Sequence, residues 1–320
     1  MKRAIGALLA AVALTGAAHA QAPADGMSLL GRIYQATEKL SYSGIFFYQQ
    51  GDRVETSRIS RIYGPAGELE KIEVLDGPRR EILRTRDTIK CYMPESQTIK
   101  VERRVDQRAF PAMLPDKFAE LVQHYSVSLA EPARIAGYDC ESVVLTPRDE
   151  LRYGYKLWAD SVTGMLLRAR TFNARGETID QFSFTQLAIG NVPRERLKPL
   201  RSARNWRVEH APVSPANLAG SGWNLGAELP GFRKIFELSR RLGESRLVNQ
   251  VVYSDGLAAV SVFIEPLAGR SEAVRPGVSN LGAVNMYTRE VANHLVTVVG
   301  EAPAASLQRM GNTVEYRRPQ

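Results

Sequence analysis

The chain has 320 residues, which is enough for two domains with separate cores, and its formal net charge is +8. Beyond the N-terminus no apolar run approaches the length needed to cross a bilayer, which argues against a membrane-spanning helix. The excess of basic residues raises the question of an acidic partner, and the answer depends on the compartment.

Residues 1–20 have the organisation of a secretory signal peptide. Lys2 and Arg3 give a charged start, an apolar core follows, and Ala18-His19-Ala20 supplies the small-residue cleavage pattern before Gln21. An uncleaved membrane anchor fits less well because the apolar run is too short. The sequence therefore predicts a soluble protein of the bacterial periplasm or exterior, whose side-chain charge falls to +6 after cleavage.

A basic protein in that compartment does not require nucleic acid, and no nucleic-acid partner is expected. Anionic lipid headgroups, lipopolysaccharide or an acidic protein segment are the more suitable partners there. A basic surface kept only for solubility is the alternative.

A helix and then a series of short strands are predicted for the first part of the mature chain. Met27 to Leu40 places apolar residues at helical spacing, and a second short helix fits Pro115 to Tyr125. Around them, runs rich in aromatic and β-branched residues are separated by Gly, Pro and Asp turns. This order predicts a strongly curved antiparallel sheet or an open barrel.

The stretch from Arg152 to Leu187 shows this pattern most clearly. Its three strand-like runs alternate apolar and polar positions, and Gly164 and Gly176 lie in the turns between them. The predicted meander has one apolar face, which covers either a plain core or an acyl-chain cavity. The side chains that could line such a cavity are Phe46, Tyr48, Trp158, Leu167, Phe182 and Phe184.

The regular pattern stops in a segment rich in Pro and Arg, which predicts an interdomain linker. After it, a hairpin turned at Ser254-Asp255-Gly256 and a closing helix near Ala304–Val314 predict a small α+β domain. The expected division is a signal peptide over 1–20, a large domain over 21–192, a linker over 193–222 and a small domain over 223–320.

Cys91 and Cys140 are the two cysteines of the chain. In an oxidising compartment an even pair suggests a disulfide, and both residues lie in strand-like runs that could be neighbours in one sheet. Closing a loop of about 50 residues would contribute on the order of 4 kcal/mol. Two buried free thiols are the alternative.

No catalytic or metal-binding constellation is evident in the sequence. His124, His210 and His294 are far apart and lack partners at metal-ligand spacing. Ser254 lies in a hairpin turn without a nucleophile elbow. We therefore expect no catalytic residue, metal or cofactor, and the residues favour a binding protein over an enzyme.

Six motifs, in the same order and over essentially the whole mature chain, resemble the RseB/MucB family of periplasmic regulators of the envelope-stress sigma factor, sigma-E or AlgU. The motifs are LDGPRRE (75–81), RYGYKLWAD (152–160), GETIDQF (176–182), LPGF (229–232), YSDGLAAVSVFIEP (253–266) and VVGEAP (298–303).

The resemblance implies an α+β protein with a large N-terminal unclosed antiparallel β-barrel that carries helices in its mouth, similar to the lipoprotein carriers LolA and LolB, plus a smaller C-terminal α+β domain. It implies binding, without enzymatic activity, to the periplasmic region of a membrane-spanning anti-sigma factor, RseA or MucA. This binding would shield the anti-sigma factor from the site-1 protease, and lipid or lipopolysaccharide fragments would release it.

The small-domain hairpin is the candidate contact with the anti-sigma factor that the resemblance implies. The residues concerned are Tyr253, Ser254, Asp255, Gly256 and Leu257, and a purely structural hairpin is the alternative. A periplasmic lipid or lipoprotein carrier of the LolA type is the second functional hypothesis. A hydrolase of envelope glycans or lipids is the third, and it lacks a catalytic constellation. A homo-oligomer is compatible with the sequence.

Overall fold

The structure is a computed structural model that describes residues 23–65, 67–104, 118–199, 201–226, 229–242, 246–268 and 276–318. The expected signal peptide lies outside these residues, as does the start of the helix predicted from Pro115. Within the described ranges, no helix is both long enough and apolar enough to cross a membrane.

The large domain begins with a helix and continues mainly as strands. Its elements are α1 (Pro23–Lys39), β1 (Tyr42–Gln50), β2 (Arg53–Gly64), β3 (Gly67–Val74), β4 (Glu81–Thr85), β5 (Thr88–Met93), β6 (Thr98–Arg103), α2 (Phe118–His124), β7 (Tyr125–Ile135), β8 (Tyr138–Pro147), β9 (Gly154–Asp160), β10 (Leu166–Phe172) and β11 (Thr178–Ile189).

The remaining chain begins with two 3-10 turns, Arg194–Leu197 and Arg201–Asn205, before the strands of the small domain. Its further elements are β12 (Arg207–Ala211), β13 (Val213–Pro215), β14 (Trp223–Asn224), β15 (Arg233–Leu242), β16 (Arg246–Ser254), β17 (Ala259–Pro266), β18 (Gly277–Leu281), β19 (Val284–Val291), β20 (His294–Gly300), α3 (Ala304–Asn312) and β21 (Glu315–Tyr316).

The large domain is a 12-stranded sheet with the strand order β12-β6-β5-β4-β3-β2-β1-β11-β10-β9-β8-β7. All pairs are antiparallel except one, in which β12 runs parallel to β6. The two end strands, β12 and β7, do not pair with each other, so the sheet is not closed. The predicted unclosed antiparallel barrel is confirmed.

Helix α1 packs on the inner face of this sheet. Leu29, Leu30 and Ile33 recur at helical spacing and are almost fully buried, in one cluster with Val143 and Leu145 of β8. The turn between β9 and β10 contacts the same helix. Gly164 has a φ of +75°, and a Cβ there would lie 2.8 Å from the carbonyl oxygen of Arg32, so only glycine fits.

The small domain is a 7-stranded sheet of order β13-β15-β16-β17-β20-β19-β18, with α3 packed across β19 and β20. Leu307 of α3 is fully buried, as are Val262 and Val298 of the sheet beneath it. The predicted closing helix is confirmed over Ala304–Asn312, two residues shorter than the pattern suggested. The α+β architecture of this part is also confirmed.

The Pro- and Arg-rich segment is more ordered than its sequence pattern indicates. Strand β12 extends the large sheet beside β6, whereas β13 extends the small sheet beside β15. Pro212 is the single residue between the two strands. The strands escape a sequence-based prediction because each is very short and lies at a sheet edge, where Pro and charged residues are tolerated.

The predicted disulfide is wrong, because Cys91 and Cys140 are both free. Cys91 lies on β5, which pairs with β4 and β6, whereas Cys140 lies on β8, which pairs with β7 and β9. The two strands share a sheet but are not neighbours, which removes the expectation on which the prediction rested. Burial raises the pKa of the Cys140 thiol to about 11 and also raises the pKa of Cys91.

Candidate functional site

A cavity of about 320 Å³ lies on the inner side of the large sheet, where the small domain meets it. Its wall is mainly apolar and comes from strands β1, β2, β3, β4, β9, β10 and β11, together with Arg80 before β4 and with Leu257 and Glu301 of the small domain. The apolar part of the wall includes Phe46, Ile72, Ile82, Leu157, Ala169 and Phe182. A space of this size and character suits a narrow apolar group.

The six predicted lipid-contact residues fall into three groups. Phe46, Tyr48 and Phe182 line the cavity, and the rings of Phe46 and Phe182 lie 5.2 Å apart. Leu167 and Phe184 are buried in the hydrophobic cluster that includes Phe46, and they do not reach the cavity.

Trp158 is the remaining member of that set, and it lies on the other face of the sheet. Leu157 of the same strand faces the cavity, and successive side chains of a strand point to opposite faces. The cations of Lys156, Arg168 and Arg170 surround the Trp158 ring instead.

Two carboxyl groups give the cavity a polar end. The hydroxyl of Tyr48 donates a hydrogen bond to Asp180 Oδ2 at 3.0 Å, and Asp180 is buried. Burial raises the pKa of Asp180. Burial, and then the nearby charge of Asp180, raise the pKa of Glu301 to about 7. Burial therefore disfavours the charged form of both of these carboxyl groups.

An ion pair between Arg152 and Asp255 joins the two domains beside this cavity. Arg152 Nη1 lies 2.9 Å from Asp255 Oδ2, and both side chains are fully shielded from solvent. The hydroxyl of Tyr125 donates to the same carboxylate oxygen at 2.9 Å. The guanidinium lies between the rings of Tyr125 and Phe232, at 5.6 and 5.4 Å from their centroids.

The segment before β9 makes further contacts with the small domain. The side chain of Arg152 also donates to the backbone oxygen of Pro230. The hydroxyl of Ser306 donates to the Leu151 carbonyl at 3.0 Å, and Asn285 Nδ2 donates to the Tyr153 hydroxyl at 2.8 Å. Each of residues 151–153 therefore makes a hydrogen bond to the small domain.

The hairpin predicted to contact a partner is turned towards the large domain. Tyr253, Asp255 and Leu257 are buried, whereas Ser254 and Gly256 are half-buried. Asp255 Oδ1 accepts hydrogen bonds from the backbone N–H groups of Leu257 and Ala258, at 3.0 and 2.9 Å, which fixes the turn. The turn therefore brings Asp255 to the ion pair and Leu257 to the cavity wall.

The sequence reading missed Arg152, Tyr125 and Glu301 as members of this site. Arg152 and Glu301 both lie in motifs that carried the family resemblance, RYGYKLWAD and VVGEAP. A buried arginine cannot be told from a solvated one by strand alternation, because its partner is 103 positions away in the chain.

Family models for the MucB/RseB N-terminal domain and the MucB/RseB C-terminal domain match residues 25–201 and 217–315. The chain is 30% identical over 300 residues to the sigma factor AlgU regulatory protein MucB of Pseudomonas aeruginosa, covering 91% of each chain. It is 25% identical over 298 residues to the sigma-E factor regulatory protein RseB of Escherichia coli, covering 92% of this chain and 91% of that one.

Solved structures of MucB are also similar to this chain. The complex of Pseudomonas aeruginosa MucA and MucB has a TM-score of 0.71 at 27% identity and covers 92% of this chain and 100% of that one. A crystal structure of MucB in complex with MucA(peri) has a TM-score of 0.70 with the same identity and coverage. The chain belongs to the MucB/RseB family of sigma-factor regulatory proteins.

Proposed function

We propose that this protein binds the periplasmic region of a membrane-spanning anti-sigma factor of the MucA or RseA kind, and so restrains the sigma factor. The observation that carries the proposal is the match of both domains, over 92% of the chain, to MucB in complex with MucA(peri). The protein would act by binding alone, without turnover. Export to the periplasm would remove residues 1–20 and leave the large domain, the linker and the small domain.

Binding can be measured by titrating the mature protein with the periplasmic segment of a single-span anti-sigma factor of the MucA or RseA kind from the same organism. We expect saturable one-to-one binding and slower cleavage of that segment by the site-1 protease when the protein is present. A titration without heat or signal change, together with unaltered cleavage, would refute the proposal.

The hairpin from Tyr253 to Leu257 remains the candidate contact with the anti-sigma factor. Because Asp255 and Leu257 are buried against the large domain, the half-buried Ser254 and Gly256 would have to provide that contact while the domains stay joined. Alternatively, the whole hairpin would become available when the junction opens.

The cavity is proposed to take an acyl chain of a lipid or of a lipopolysaccharide fragment. Phe46, Tyr48 and Phe182 would contact the chain directly, and Leu167, Phe184 and Trp158 would support the wall. Burial of the chain against apolar side chains would supply the binding free energy.

Occupation of the cavity is proposed to weaken the domain junction. Leu257 and Glu301 belong to the small domain and line the cavity, and Leu257 lies two residues after Asp255. A chain that displaces Leu257 would therefore move the turn that holds the Arg152–Asp255 ion pair. The resulting change of domain angle would release the anti-sigma factor.

An engineered disulfide between residues 149–153 and the start of α3, in a background with Cys91 and Cys140 replaced by Ser, tests this coupling. The oxidised protein should still bind the anti-sigma segment but no longer release it when lipopolysaccharide fragments are added. The reduced protein is the matched control. Normal release by the oxidised form would contradict the mechanism.

A lipid or lipoprotein carrier of the LolA type is the second candidate, favoured by the apolar cavity in an open barrel. The small domain closes part of that cavity, which argues against free exchange of a large cargo. Transfer of a lipoprotein between two membranes in vitro would reverse the ranking.

A further inference from the structure

The outer face of the meander carries three basic side chains around a single tryptophan ring. Lys156 Nζ lies 4.9 Å from the centroid of the Trp158 ring. The guanidinium carbons of Arg168 and Arg170 lie at 5.6 and 5.3 Å from it. The three cationic groups are therefore within about 11 Å of one another.

The strand register explains why these side chains meet. Arg168 is paired directly with Trp158, and Arg170 with Lys156, across β9 and β10. The alternation of the strands then places all four side chains on one face. Trp158 is buried beneath the half-buried cations.

These cations differ from the basic residues of β2, β3 and β4 in having no acidic partner among the described residues. On β2, β3 and β4 the basic side chains form ion pairs, for example Arg61 with Glu68 and Arg84 with Glu70. Among the described residues, no carboxylate forms an ion pair with Lys156, Arg168 or Arg170. Positive charge is thus concentrated and uncompensated at this place.

Neutral groups hold the two guanidinium groups in position. Arg168 Nε donates to the hydroxyl of Ser183 at 3.1 Å, and Arg170 Nε donates to the side-chain oxygen of Gln181. Each bond uses the Nε–H, so the terminal Nη groups keep their donors for another acceptor. Burial and the neighbouring charge of Arg170 lower the pKa of Arg168.

Space for a ligand lies directly beside this cluster. A surface groove of about 350 Å³ is lined by Arg170, Gln181, Gln49 and Thr178. Its one acidic residue, Asp180, is buried and accepts a hydrogen bond from Tyr48.

We propose that Lys156, Arg168 and Arg170, seated on Trp158, form a binding site for a phosphate group on the outer face of β9 and β10. A tetrahedral oxyanion can accept from both guanidinium groups at once, and the lysine adds a further charge-assisted hydrogen bond. The phosphate would come from a lipid headgroup or from a small free phosphate compound. This site is separate from the acyl-chain cavity, which lies on the inner face of the same strands.

Titration of the mature protein alone, without the anti-sigma segment, tests the site independently of the proposed function. The two probes are inorganic phosphate, and vesicles of phosphatidylglycerol with phosphatidylcholine vesicles as the reference. Saturable binding of inorganic phosphate identifies a small-anion site. Binding only to the phosphatidylglycerol vesicles identifies a headgroup site.

The double variant R168Q/R170Q should weaken binding at least tenfold for whichever probe binds the wild-type protein, inorganic phosphate or phosphatidylglycerol vesicles. R168K/R170K should recover part of this loss, because it restores the charge without the bidentate geometry. R175Q changes an exposed arginine at the next turn, which is paired with Glu177, and should stay within twofold of the wild type. Thermal unfolding of each variant establishes that it is folded, and K156Q provides a single substitution if the double variant is not.

Saturable binding of neither probe by the wild-type protein would overturn the proposal. An equal loss in R175Q and R168Q/R170Q would overturn it as well, because it would mean that only the total charge matters.

Discussion

The two domains differ in how completely side chains fill their interiors. In the small domain, Val262, Val298 and Leu307 belong to one cluster whose members are almost fully buried. In the large domain, Phe46, Leu157 and Phe182 leave a cavity of about 320 Å³ between them. Both interiors are apolar, so hydrophobicity alone does not distinguish a core from a binding site.

Sheet curvature accounts for the difference. Helix α1 covers the inner face near β7 and β8, where Leu29, Leu30 and Ile33 pack closely, but it leaves the region towards β1, β3 and β4 open. The small sheet has fewer strands, and α3 is long enough to cover its centre. A large curved sheet that its helices cover only in part therefore keeps space that the small sheet does not.

Replacing Arg152 should have the largest effect on the free energy of unfolding, because its buried ion pair with Asp255 joins the two domains. Arg152→Leu leaves Asp255 buried without its cation, and we expect a loss of about 3–5 kcal/mol in the free energy of unfolding. Urea unfolding measures it. The double variant with Asp255→Leu should be more stable than Arg152→Leu alone. A single substitution within 1 kcal/mol of wild type, about the value of an exposed pair, would contradict the assignment.

Truncating a leucine to alanine should destabilise the protein more in the packed core of the small domain than in the wall of the cavity. Leu307→Ala should cost about 2–5 kcal/mol, because it opens a void in a filled core. Leu157→Ala should cost clearly less, since its side chain already borders empty space and loses fewer contacts. Equal losses in urea unfolding would show that the two interiors are packed alike.

Replacing an alanine by phenylalanine tests whether each interior has room for a larger side chain. Ala169→Phe adds a ring where the cavity has room, and we expect a change in stability within about 1 kcal/mol. Ala258→Phe, in the filled core, should cost about 1–3 kcal/mol. In addition, Ala169→Phe should reduce binding of a fluorescent fatty acid, whereas Ala258→Phe should not if the protein remains folded.

A dependence of stability on pH is expected from Glu301. The pKa of Glu301 rises from an ordinary value of 4.5 to about 7 in the folded protein, so the folded state binds a proton more tightly than the unfolded one. Its contribution to stability is therefore greatest at low pH and is lost as the pH rises from about 4.5 to 7. Asp180 acts in the same direction, because its pKa is also raised.

Urea midpoints of the wild type and Glu301→Gln across this pH range measure the contribution. The difference between the two proteins should grow steadily in favour of Glu301→Gln as the pH rises. A constant difference would show that Glu301 keeps its ordinary pKa.

Strand alternation predicted the meander because one face of β9, β10 and β11 is buried, and a buried face fixes the period of two. The same rule could have separated Leu157 from Trp158, which are adjacent in the chain and cannot share a face. The prediction grouped Trp158 with the cavity residues because it weighed aromatic size above parity. The cluster of cations around Trp158 on the outer face was therefore not predicted.

Long-range pairing was not predictable in the same way. The Arg152–Asp255 ion pair and the positions of Cys91 and Cys140 depend on which strands become neighbours, and local periodicity carries no information on that order. Strands β12 and β13 were missed because neither is long enough to show a period.

The single residue between β12 and β13 has a mechanical consequence. Strand β12 is an edge strand of the large sheet and β13 is an edge strand of the small sheet, so Pro212 is the hinge residue between the two sheets. Pulling the two sheets apart would require the backbone hydrogen bonds of β12 to β6 or of β13 to β15 to break. A rotation of the backbone at Pro212 would leave them intact. The proline ring fixes the φ angle of Pro212, so only its ψ angle is free to change. A rotation of the small domain about Pro212 would displace each residue in proportion to its distance from Pro212, and this includes Asp255 at the junction with Arg152.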